Sequence, residues 1–556
     1  MKERRILALI LAFVMVACVF AGCGTTEEEQ TAAVEESKAE EVVEDSGTVA
    51  LVSEEETKAE KLTAADTLVI GVYGYQQNNF NPSQSRNYPG IAQCYDTLFY
   101  SDRTGAEWET KPLLAESWEY EKNEDGVWVF HVKIVENATF ASGEPVTAED
   151  VLYSYAQMAY GSWASLLDPW DIEASYVEGD YDVYFVGAYY CPNVIDNFNG
   201  PNTGVVNKEW AENAADEDWW DQVDESGPFT VVENVDGSHI LLQVRDDYWG
   251  WGTVQERPNY DYMKVIFYSE ASTMVIDYEN GAIDMACAVQ KSDVDRIQSQ
   301  GGIEHSTLAL VPTGTMMSLV FNENTEILQD VNIRKAIAYA MDVEGITAAV
   351  AGVLGETSIG YISPDPAGDY FVEFGANEYN LEKAKECMAE AGYPDGGFEL
   401  KMVIKQSEAD QNFATILQAE LAELGISLVI EEYETSTAIQ NFREGNTDLM
   451  FNLFTSGTYP ATVYNNRMSN TTLLSAIILD DQVQEWLQTG KTTEDTELAH
   501  EVYANMQNWQ HDNCSEVPMY EQNTAVLYKD YVDASSCRNY QMSGIVDFRF
   551  ADLIVD

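Results

Sequence analysis

The pattern of apolar and polar positions is clearest in the middle of the chain, between residues 316 and 342. An uninterrupted apolar run over residues 316–321 predicts a buried strand. After Asp330, whose carboxylate can cap a helix, the apolar residues repeat with the spacing of one helical face. They are Ile333, Ala336, Ile337, Ala340 and Met341. Arg334 and Lys335 fall off that face, and the pattern predicts a strand and an amphipathic helix of an α/β domain.

Similar patterns predict elements elsewhere. Residues 67–73 read as a first strand, and the polar loop 74–82 follows its end. Because ligands collect at the carboxyl ends of strands in α/β sheets, this loop is a candidate for ligand binding, with a plain surface turn as the alternative. Thr147 can cap a helix that begins after it. A strand at 448–454 leads into a second polar loop at 455–460.

The first residues have the pattern of a secretory signal. Basic residues at positions 2, 4 and 5 precede an apolar run over 6–20, which is too short for a stable membrane-spanning helix. Ala21-Gly22-Cys23 then resembles the bacterial lipobox, in which the cysteine is lipidated. We therefore predict a signal peptide at 1–22 and a lipid anchor at Cys23; an ordinary cleaved signal with a free thiol is the alternative. Residues 23–65 are acidic and poor in apolar pattern, which predicts a disordered tether.

Composition excludes several functions. The chain of 556 residues carries 95 acidic and 29 basic residues, a net charge of −66, which argues against binding nucleic acid or an anionic membrane surface. Its five histidines are scattered, and it contains no Cys-x-x-Cys, His-Glu-x-x-His, Gly-x-Ser-x-Gly or helix-opening Gly-x-Gly-x-x-Gly motif. We therefore expect no metal, no cofactor and no enzymatic activity. For the cysteines after Cys23 we expect burial as apolar residues, with a Cys514–Cys537 bridge as an alternative.

Several motifs in a fixed order resemble one family. Pro-Leu-Leu-Ala-Glu-Ser-Trp stands at 112–118, Gly-Glu-Pro-Val-Thr-Ala-Glu-Asp at 143–150, and Val-x-Ile-Arg-Lys-Ala-Ile-x-Tyr-Ala-x-Asp at 331–342. Further matches lie at 226–229, 247–250, 281–285, 391–396 and 517–520. Together they resemble the family 5 extracellular solute-binding proteins, the receptors of oligopeptide- and dipeptide-type ABC importers. The resemblance covers nearly all of residues 66–556.

This resemblance implies a fold and a function. The implied fold is α/β and two-lobed, like that of the periplasmic binding proteins, with two crossing segments as a hinge. Lobe I would comprise residues 66–307, with an inserted subdomain at about 101–223, and lobe II residues 308–513, before a return to lobe I at 514–556. The implied function is capture of an oligopeptide-like solute and its delivery to an ABC permease by a monomeric, lipid-anchored extracellular protein. An oligosaccharide-binding member and a sensor without transport remain the alternatives.

The resemblance also indicates ligand-binding positions. In peptide-binding members the loop after the 448–454 strand reads Trp-x-Ala-Asp-Tyr-x-(Asp/Glu)-Pro, and its first Asp binds the ammonium group of the peptide. Aligned on Pro460, this chain has Ser456 at that Asp and Met450 where some members carry Arg. The charged peptide anchors are therefore missing at the aligned positions. The predicted binding residues are neutral or aromatic: Tyr75, Gln76, Asn78, Asn79, Trp163, Phe454, Thr455, Ser456, Gly457 and Tyr459.

Overall fold

Most of the predicted strands join one long mixed sheet. The computed structural model describes residues 66–74, 79–84, 89–102, 109–161, 164–457, 459–469, 480–534 and 547–554, all within the unit Lys58–Asp556. Its strands are β1 (Thr67–Tyr73), β2 (Phe99–Asp102), β3 (Glu109–Pro112), β4 (Ala115–Lys122), β5 (Trp128–Ile134), β6 (Trp170–Glu178), β7 (Asp182–Gly187), β8 (Phe229–Val235), β9 (His239–Val244), β10 (Tyr262–Tyr268), β11 (Met285–Cys287), β12 (Ser306–Phe321), β13 (Gly355–Thr357), β14 (Phe398–Lys405), β15 (Ile426–Tyr433), β16 (Leu449–Thr455), β17 (Glu516–Lys529), β18 (Val532–Asp533) and β19 (Asp552–Leu553).

Helices cover both faces of this sheet. They are α1 (Ile91–Cys94), α2 (Ala148–Gln157), α3 (Lys208–Asn213), α4 (Ala271–Glu279), α5 (Lys291–Ser299), α6 (Val331–Ala340), α7 (Val343–Val350), α8 (Pro364–Ala367), α9 (Leu381–Glu390), α10 (Glu408–Ala422), α11 (Thr435–Arg443), α12 (Ala461–Met468), α13 (Asp481–Thr492) and α14 (Thr496–Asn513). The strand order is β15-β14-β16-β12-β17-β11-β1-β10-β9-β8, with β13 paired to β17. A separate antiparallel sheet has the order β4-β5-β7-β6.

The two longest strands, β12 and β17, cross from one half of the long sheet to the other. They contain 16 and 14 residues and pair antiparallel along most of their length. Up to Pro312, β12 pairs with the part of β17 that also pairs with β11. From Thr315 onward, β12 pairs with β16 on its other side. A bulge separates the two parts, with Gly314 inside it at φ +65°, a backbone conformation that favours glycine.

Each half of the sheet has its own hydrophobic core. In lobe I, apolar residues of β1, β9 and β10 pack together, among them Ile70, Leu242 and Val265. In lobe II, residues of β12 and β16 pack against α6 and α10. The β4–β7 sheet and α2 enclose another core in a subdomain inserted into lobe I. This is the predicted two-lobed α/β fold. The residue boundaries given above stay predictions, because β12 itself passes from one lobe into the other.

Local signals in the sequence gave several elements correctly. The first strand has the predicted bounds, Thr67–Tyr73. Thr147 caps α2 in a capping box completed by Asp150. The Asp330 carboxylate accepts a hydrogen bond of 2.8 Å from the N–H of Asn332 and so caps α6. These features are governed by neighbours in the sequence, which is why a local pattern predicts them.

Other sequence predictions lie beyond the described residues. The signal peptide at 1–22, Cys23 and the tether are among them, as is Cys537. Cys94, Cys191, Cys287 and Cys514 are buried, as expected for apolar packing. Within the described ranges, no helix is both long and apolar enough to cross a membrane.

Arg334 falls off the apolar face of α6 and is nevertheless buried, at 4% exposure. Its Nη2 donates to the carbonyl of Asn513 at 2.7 Å, and its Nη1 donates to the carbonyl of Leu328 at 2.6 Å. Its Nε lies 3.1 Å from the carbonyl of Cys514. The guanidinium therefore satisfies carbonyls at the end of α14, which the last turn of a helix leaves unpaired. A hydrophobicity pattern cannot predict this position, because it scores only apolar side chains.

We predict that Arg334→Met lowers the free energy of unfolding by about 3 kcal/mol, because it leaves several buried carbonyls without a donor. Urea titration followed by circular dichroism measures this loss. Arg443→Met is the matched control, because Arg443 is exposed at the end of α11; it should change stability by less than about 0.5 kcal/mol. Equal effects of the two substitutions would contradict the structural role of Arg334.

Candidate ligand-binding cleft

A cavity lies between the two lobes and is walled by both. About 170 Å³ of it is open to water-sized molecules. Lobe II contributes the end of β16, the loop after it and the start of α12: Thr455, Ser456, Gly457, Tyr459 and Thr462. Lobe I contributes residues around α1, β2 and β3, the turn at 193–201 and the segment at 547–550: Tyr95, Thr97, Tyr100, Glu109, Thr110, Asn193, Asp196, Asn197, Asn199, Pro201, Asp547, Arg549 and Phe550 are among them.

The wall formed by lobe II is uncharged and firmly held. The N–H of Ser456 donates to the carbonyl of Gly314 at 2.8 Å, and its hydroxyl accepts a hydrogen bond from the N–H of Ser363 at 3.0 Å. The hydroxyls of Thr455 and Thr315 lie 3.1 Å apart. These bonds connect the wall to β12 beside the bulge and leave the hydroxyl proton of Ser456 available to a ligand.

Tyr459 presents its ring rather than its hydroxyl. The hydroxyl donates to the carbonyl of Gly490 at 2.5 Å, and burial raises its pKa well above the ordinary value. The ring makes edge contacts with Tyr370 and Tyr503, each at 5.4 Å between centroids. A neutral aromatic face of this kind can cover apolar parts of a ligand.

The wall formed by lobe I contains a buried ion pair. Nη1 of Arg549 lies 2.9 Å from Oδ1 of Asp96, which is 0% exposed. Asp96 also accepts hydrogen bonds from Tyr248 at 3.2 Å and from Nε1 of Trp249 at 2.8 Å. Nη2 of Arg549 donates to the carbonyl of Tyr95 at 2.9 Å. The pair fastens the last described segment of the chain to the end of α1.

Carboxylates give this wall its charge. Asp196, Asp547 and Glu109 line the cavity, whereas the positive charge of Arg549 is already balanced by Asp96. Asp196 accepts hydrogen bonds from Thr110 at 2.9 Å and from Asn199 at 3.2 Å. The N–H of Arg549 donates to Asp547 at 2.9 Å. No motif in the sequence pointed to these residues, which come from segments far apart in the chain.

The inserted subdomain also contacts lobe II at one edge of the cleft. Glu494, just after α13, lies 2.7 Å from Nζ of Lys122 and accepts a hydrogen bond from Nε1 of Trp128 at 3.0 Å. Lys491 lies 3.0 Å from Asp168 and 5.2 Å from the centre of the Tyr189 ring. We call these two sets of bonds the subdomain contact. They hold the two lobes together on this side.

The predicted binding residues fall into three groups. Thr455, Ser456, Gly457 and Tyr459 line the cavity together. Phe454 does not; it is 3% exposed, and its ring lies 4.3 Å from the guanidinium of Arg467 in the core of lobe II. The side chains of a strand alternate between faces, so Phe454 lies on the opposite face from its neighbour Thr455.

Asn79 is described but is not part of the cavity lining, and its side chain accepts a hydrogen bond from the N–H of Asn81 at 3.0 Å. Tyr75, Gln76, Asn78 and Trp163 lie outside the described residues. The binding roles of all ten residues stay predictions. Among the described residues, no cluster of His, Cys, Asp and Glu is arranged to hold a metal ion.

Comparison with known families gives this cleft its context. The sequence model of the bacterial extracellular solute-binding proteins, family 5 Middle, matches residues 109–475. The chain belongs to this family. The motifs noted in the sequence therefore identify the family correctly, and the two-lobed fold is the one that the resemblance implied.

Individual relatives are more distant. The family 5 chain is 24% identical over 481 residues to the oligopeptide-binding protein AppA of Bacillus subtilis strain 168, covering 81% of this chain and 80% of that protein. The structure of DppA from Helicobacter pylori in complex with the peptide STSA has a TM-score of 0.71 at 20% identity, covering 90% of this chain and 100% of that one. AgaA of A. tumefaciens R10, in complex with agropinic acid, has a TM-score of 0.71 at 23% identity, covering 88% of this chain and 99% of that one.

We predict that loss of the subdomain contact separates the lobes. In Lys491→Met/Glu494→Gln both ion pairs are lost, and the radius of gyration measured by small-angle scattering should increase when no ligand is added. Exposed ion pairs are weak, so we expect about a two-fold shift in the balance of open and closed forms. The difference should shrink in 1 M salt, which screens surface charges.

Lys401→Met/Glu444→Gln is the matched control, since it makes the same charge changes at exposed positions of lobe II. Its radius of gyration should equal that of the unsubstituted protein. An unchanged radius in both double variants would show that the subdomain contact does not hold the lobes.

Proposed function

We propose that this family 5 protein is the substrate-binding subunit of an ABC importer, capturing an oligopeptide-like solute by lobe closure and delivering it to a membrane permease. The observation that carries this proposal is the cavity walled by both lobes, with β12 and β17 as the crossing strands. A solute that contacts both walls binds the closed form more tightly than the open form and so favours closure. The names of AppA and of the DppA complex support a peptide as the solute.

The two walls suit different parts of such a solute. The neutral wall around Ser456 offers hydroxyl groups and an aromatic ring, which can pair with the amide groups of a peptide backbone and cover its side chains. The opposite wall carries Asp196 and Asp547. Both of these carboxylates already accept hydrogen bonds from the protein. We therefore expect the solute to be recognised chiefly through neutral groups, and to be released chemically unchanged.

We predict that recognition does not depend on a free α-amine. Ser456 stands where peptide-binding members have an ammonium-binding Asp, so an N-acetylated peptide should bind within about three-fold of its free form. A charge-assisted hydrogen bond would instead make a difference of tenfold or more. Isothermal titration of paired free and acetylated tetrapeptides measures the ratio, and Ser456→Asp should begin to favour the free amine.

Two further results would revise the proposal. A free peptide that binds a hundredfold more tightly than its acetylated form would show that an acidic residue of lobe I binds the ammonium group. Asp196→Asn and Asp547→Asn would then identify which one, with Glu444→Asn as the control on the outer surface of lobe II.

Binding of oligosaccharides and of no peptide would replace the proposed solute. Unchanged peptide uptake after deletion of the gene would favour a sensor over an importer subunit.

We further propose that the protein is a monomer held on the extracytoplasmic face of the membrane by a lipid on Cys23. The sequence supports this through the basic and apolar leader, the Ala21-Gly22-Cys23 site and the acidic segment that follows. A tether of about 40 residues behaving as a flexible coil would hold the fold roughly 35 Å from the membrane. The cleft would then remain free to meet both solute and permease.

We predict that radiolabelled fatty acid enters the unsubstituted protein and is absent from Cys23→Ala. The variant should be shed into the medium, because a cleaved, unlipidated chain has no anchor. Cys18→Ala serves as the control, since Cys18 is the other cysteine of the leader, and it should be labelled normally. Equal labelling of Cys23→Ala and the unsubstituted protein would place the anchor elsewhere.

A further inference from the structure

A chain of hydrogen bonds leads from the cavity wall through buried serines to the half-buried Glu521 on β17. The hydroxyl of Ser456, on the wall, accepts a hydrogen bond from the N–H of Ser363 at 3.0 Å. The hydroxyl of Ser363 donates to one carboxylate oxygen of Glu521, and the hydroxyl of Ser358 donates to the other at 3.0 Å. The three serines are between 2% and 4% exposed. Only Ser363 separates the carboxyl group of Glu521 from Ser456.

The backbone of Glu521 lies one residue from the bulge at which β12 crosses between the lobes. The residue after Glu521, Gln522, pairs with Thr315, and its carbonyl accepts a hydrogen bond from the hydroxyl of Thr313 at 2.7 Å. On the other side, the N–H of Ser456 donates to the carbonyl of Gly314. Ser456 is therefore bonded to the bulge directly, and Glu521 is next to a residue that is, so the hydrogen-bonded chain from Glu521 to Ser456 lies at the crossing between the lobes.

Charged groups from the neighbouring elements face Glu521. Arg467 of α12 is buried, at 2% exposure, and its positive charge attracts the carboxylate of Glu521. Its Nε lies 3.2 Å from Glu516, so the same guanidinium also neutralises a second carboxyl group of β17. Asp365 of α8 adds a negative charge that repels the carboxylate of Glu521. The cross-strand partner of Glu521 on β13 is the acidic Glu356, and its partner on β12 is the uncharged Met316. Burial is the largest effect and raises the pKa of Glu521 to about 7.

We propose that Glu521 is a positioning residue for solute binding, whose ionised carboxylate fixes Ser363, and through it Ser456, against the hinge. This inference rests on the proposed function, in which the cavity holds the solute. An ionised carboxylate accepts hydrogen bonds from both serine hydroxyls, and such charge-assisted bonds are about twice as strong as neutral ones. On protonation Ser358 has a second acceptor, the carbonyl of Gly360 at 3.1 Å. Protonation therefore loosens the link to the cavity wall.

The direction of the pH effect follows from the same contacts. Ser363 and Ser456 are already buried, so a solute in the cavity adds little to the desolvation of Glu521. The strength of the hydrogen bonds to Glu521 therefore decides how solute affinity changes with pH. The protein binds the solute more tightly when Glu521 is ionised. We expect solute affinity to be highest above pH 7 and to fall about five-fold between pH 8 and pH 6.

A first experiment follows the cavity wall without any ligand. A side chain at Gly457, next to Ser456, would meet open space, so Gly457→Cys can carry a spin label once the cysteines at 18, 23, 387 and 537 are replaced by serine. The label should be less mobile at pH 8 than at pH 6, and the midpoint of this change in mobility should lie near pH 7. It should be equally mobile at both pH values in Glu521→Gln, while the control Glu444→Gln keeps the response. A label that does not respond to pH in the unsubstituted protein would overturn the proposal.

A second experiment uses the tightest tetrapeptide of the acetylated panel, titrated at pH 8 and pH 6. The five-fold ratio should appear in the unsubstituted protein and in Glu444→Gln, and should vanish in Glu521→Gln. Because the folded protein raises the pKa of Glu521, ionisation of this residue costs stability as the pH rises through 7. Glu521→Gln should therefore melt no lower than the unsubstituted protein at pH 8, which shows that it is folded.

The outcomes separate this inference from the proposed function. A spin label that responds to pH, in a protein that binds no peptide of the panel, would support the role of Glu521 and contradict the peptide solute. Peptide binding of equal affinity at pH 6 and pH 8 in the unsubstituted protein would overturn the role of Glu521 and leave the proposed function standing. Ser363→Ala should abolish the pH response of affinity, because it breaks the link from Glu521 to Ser456.

Discussion

The antiparallel pairing of β12 with β17 is the constraint on which the rest of the structure depends. Every other strand of the long sheet attaches to this pair on one side or the other, and both hydrophobic cores are built on the resulting halves. Backbone groups inside a sheet have to be paired, so the two lobes cannot separate by breaking this ladder. The bulge around Gly314 offers a place where the ladder is already interrupted. This interruption lies beside the residues that carry the cavity wall, because Gly314 accepts the hydrogen bond from Ser456.

Buried arginines are the second organising feature of this very acidic chain. Arg334, Arg467 and Arg549 are each 4% exposed or less. Each guanidinium joins segments that are distant in sequence: α6 to the end of α14, α12 to β17, and α1 to the last described residues. A planar group with five donors can satisfy several carbonyls or a carboxylate at once, which lysine cannot do. With 29 basic residues in the chain, these arginines act as internal connectors rather than as surface charges.

Features of the fold and the cleft could be predicted from the sequence where they are determined by residues close together in the chain. β1 and the caps of α2 and α6 follow from neighbours in the sequence, and the pattern predicts them well. The lobe II wall follows from the family loop that ends at Pro460, whereas the side chain of Phe454 packs into the core of lobe II. The lobe I wall depends on Arg549 meeting Tyr95, 454 residues earlier. Such a meeting is decided by the packing of whole lobes, and the sequence carries no local sign of it.

The subdomain contact has a kinetic consequence for a protein that must both hold and release its cargo. Lys491 and Glu494 bind the subdomain from outside the cavity, so they resist opening whatever the cavity contains. A bound solute can escape only after these bonds break, which lengthens its residence time without adding to selectivity. The same bonds oppose unloading, and whichever membrane partner receives the solute has to overcome them. Because exposed ion pairs are weak, the edge where α13 meets the subdomain lengthens the lifetime of the loaded state by about two-fold.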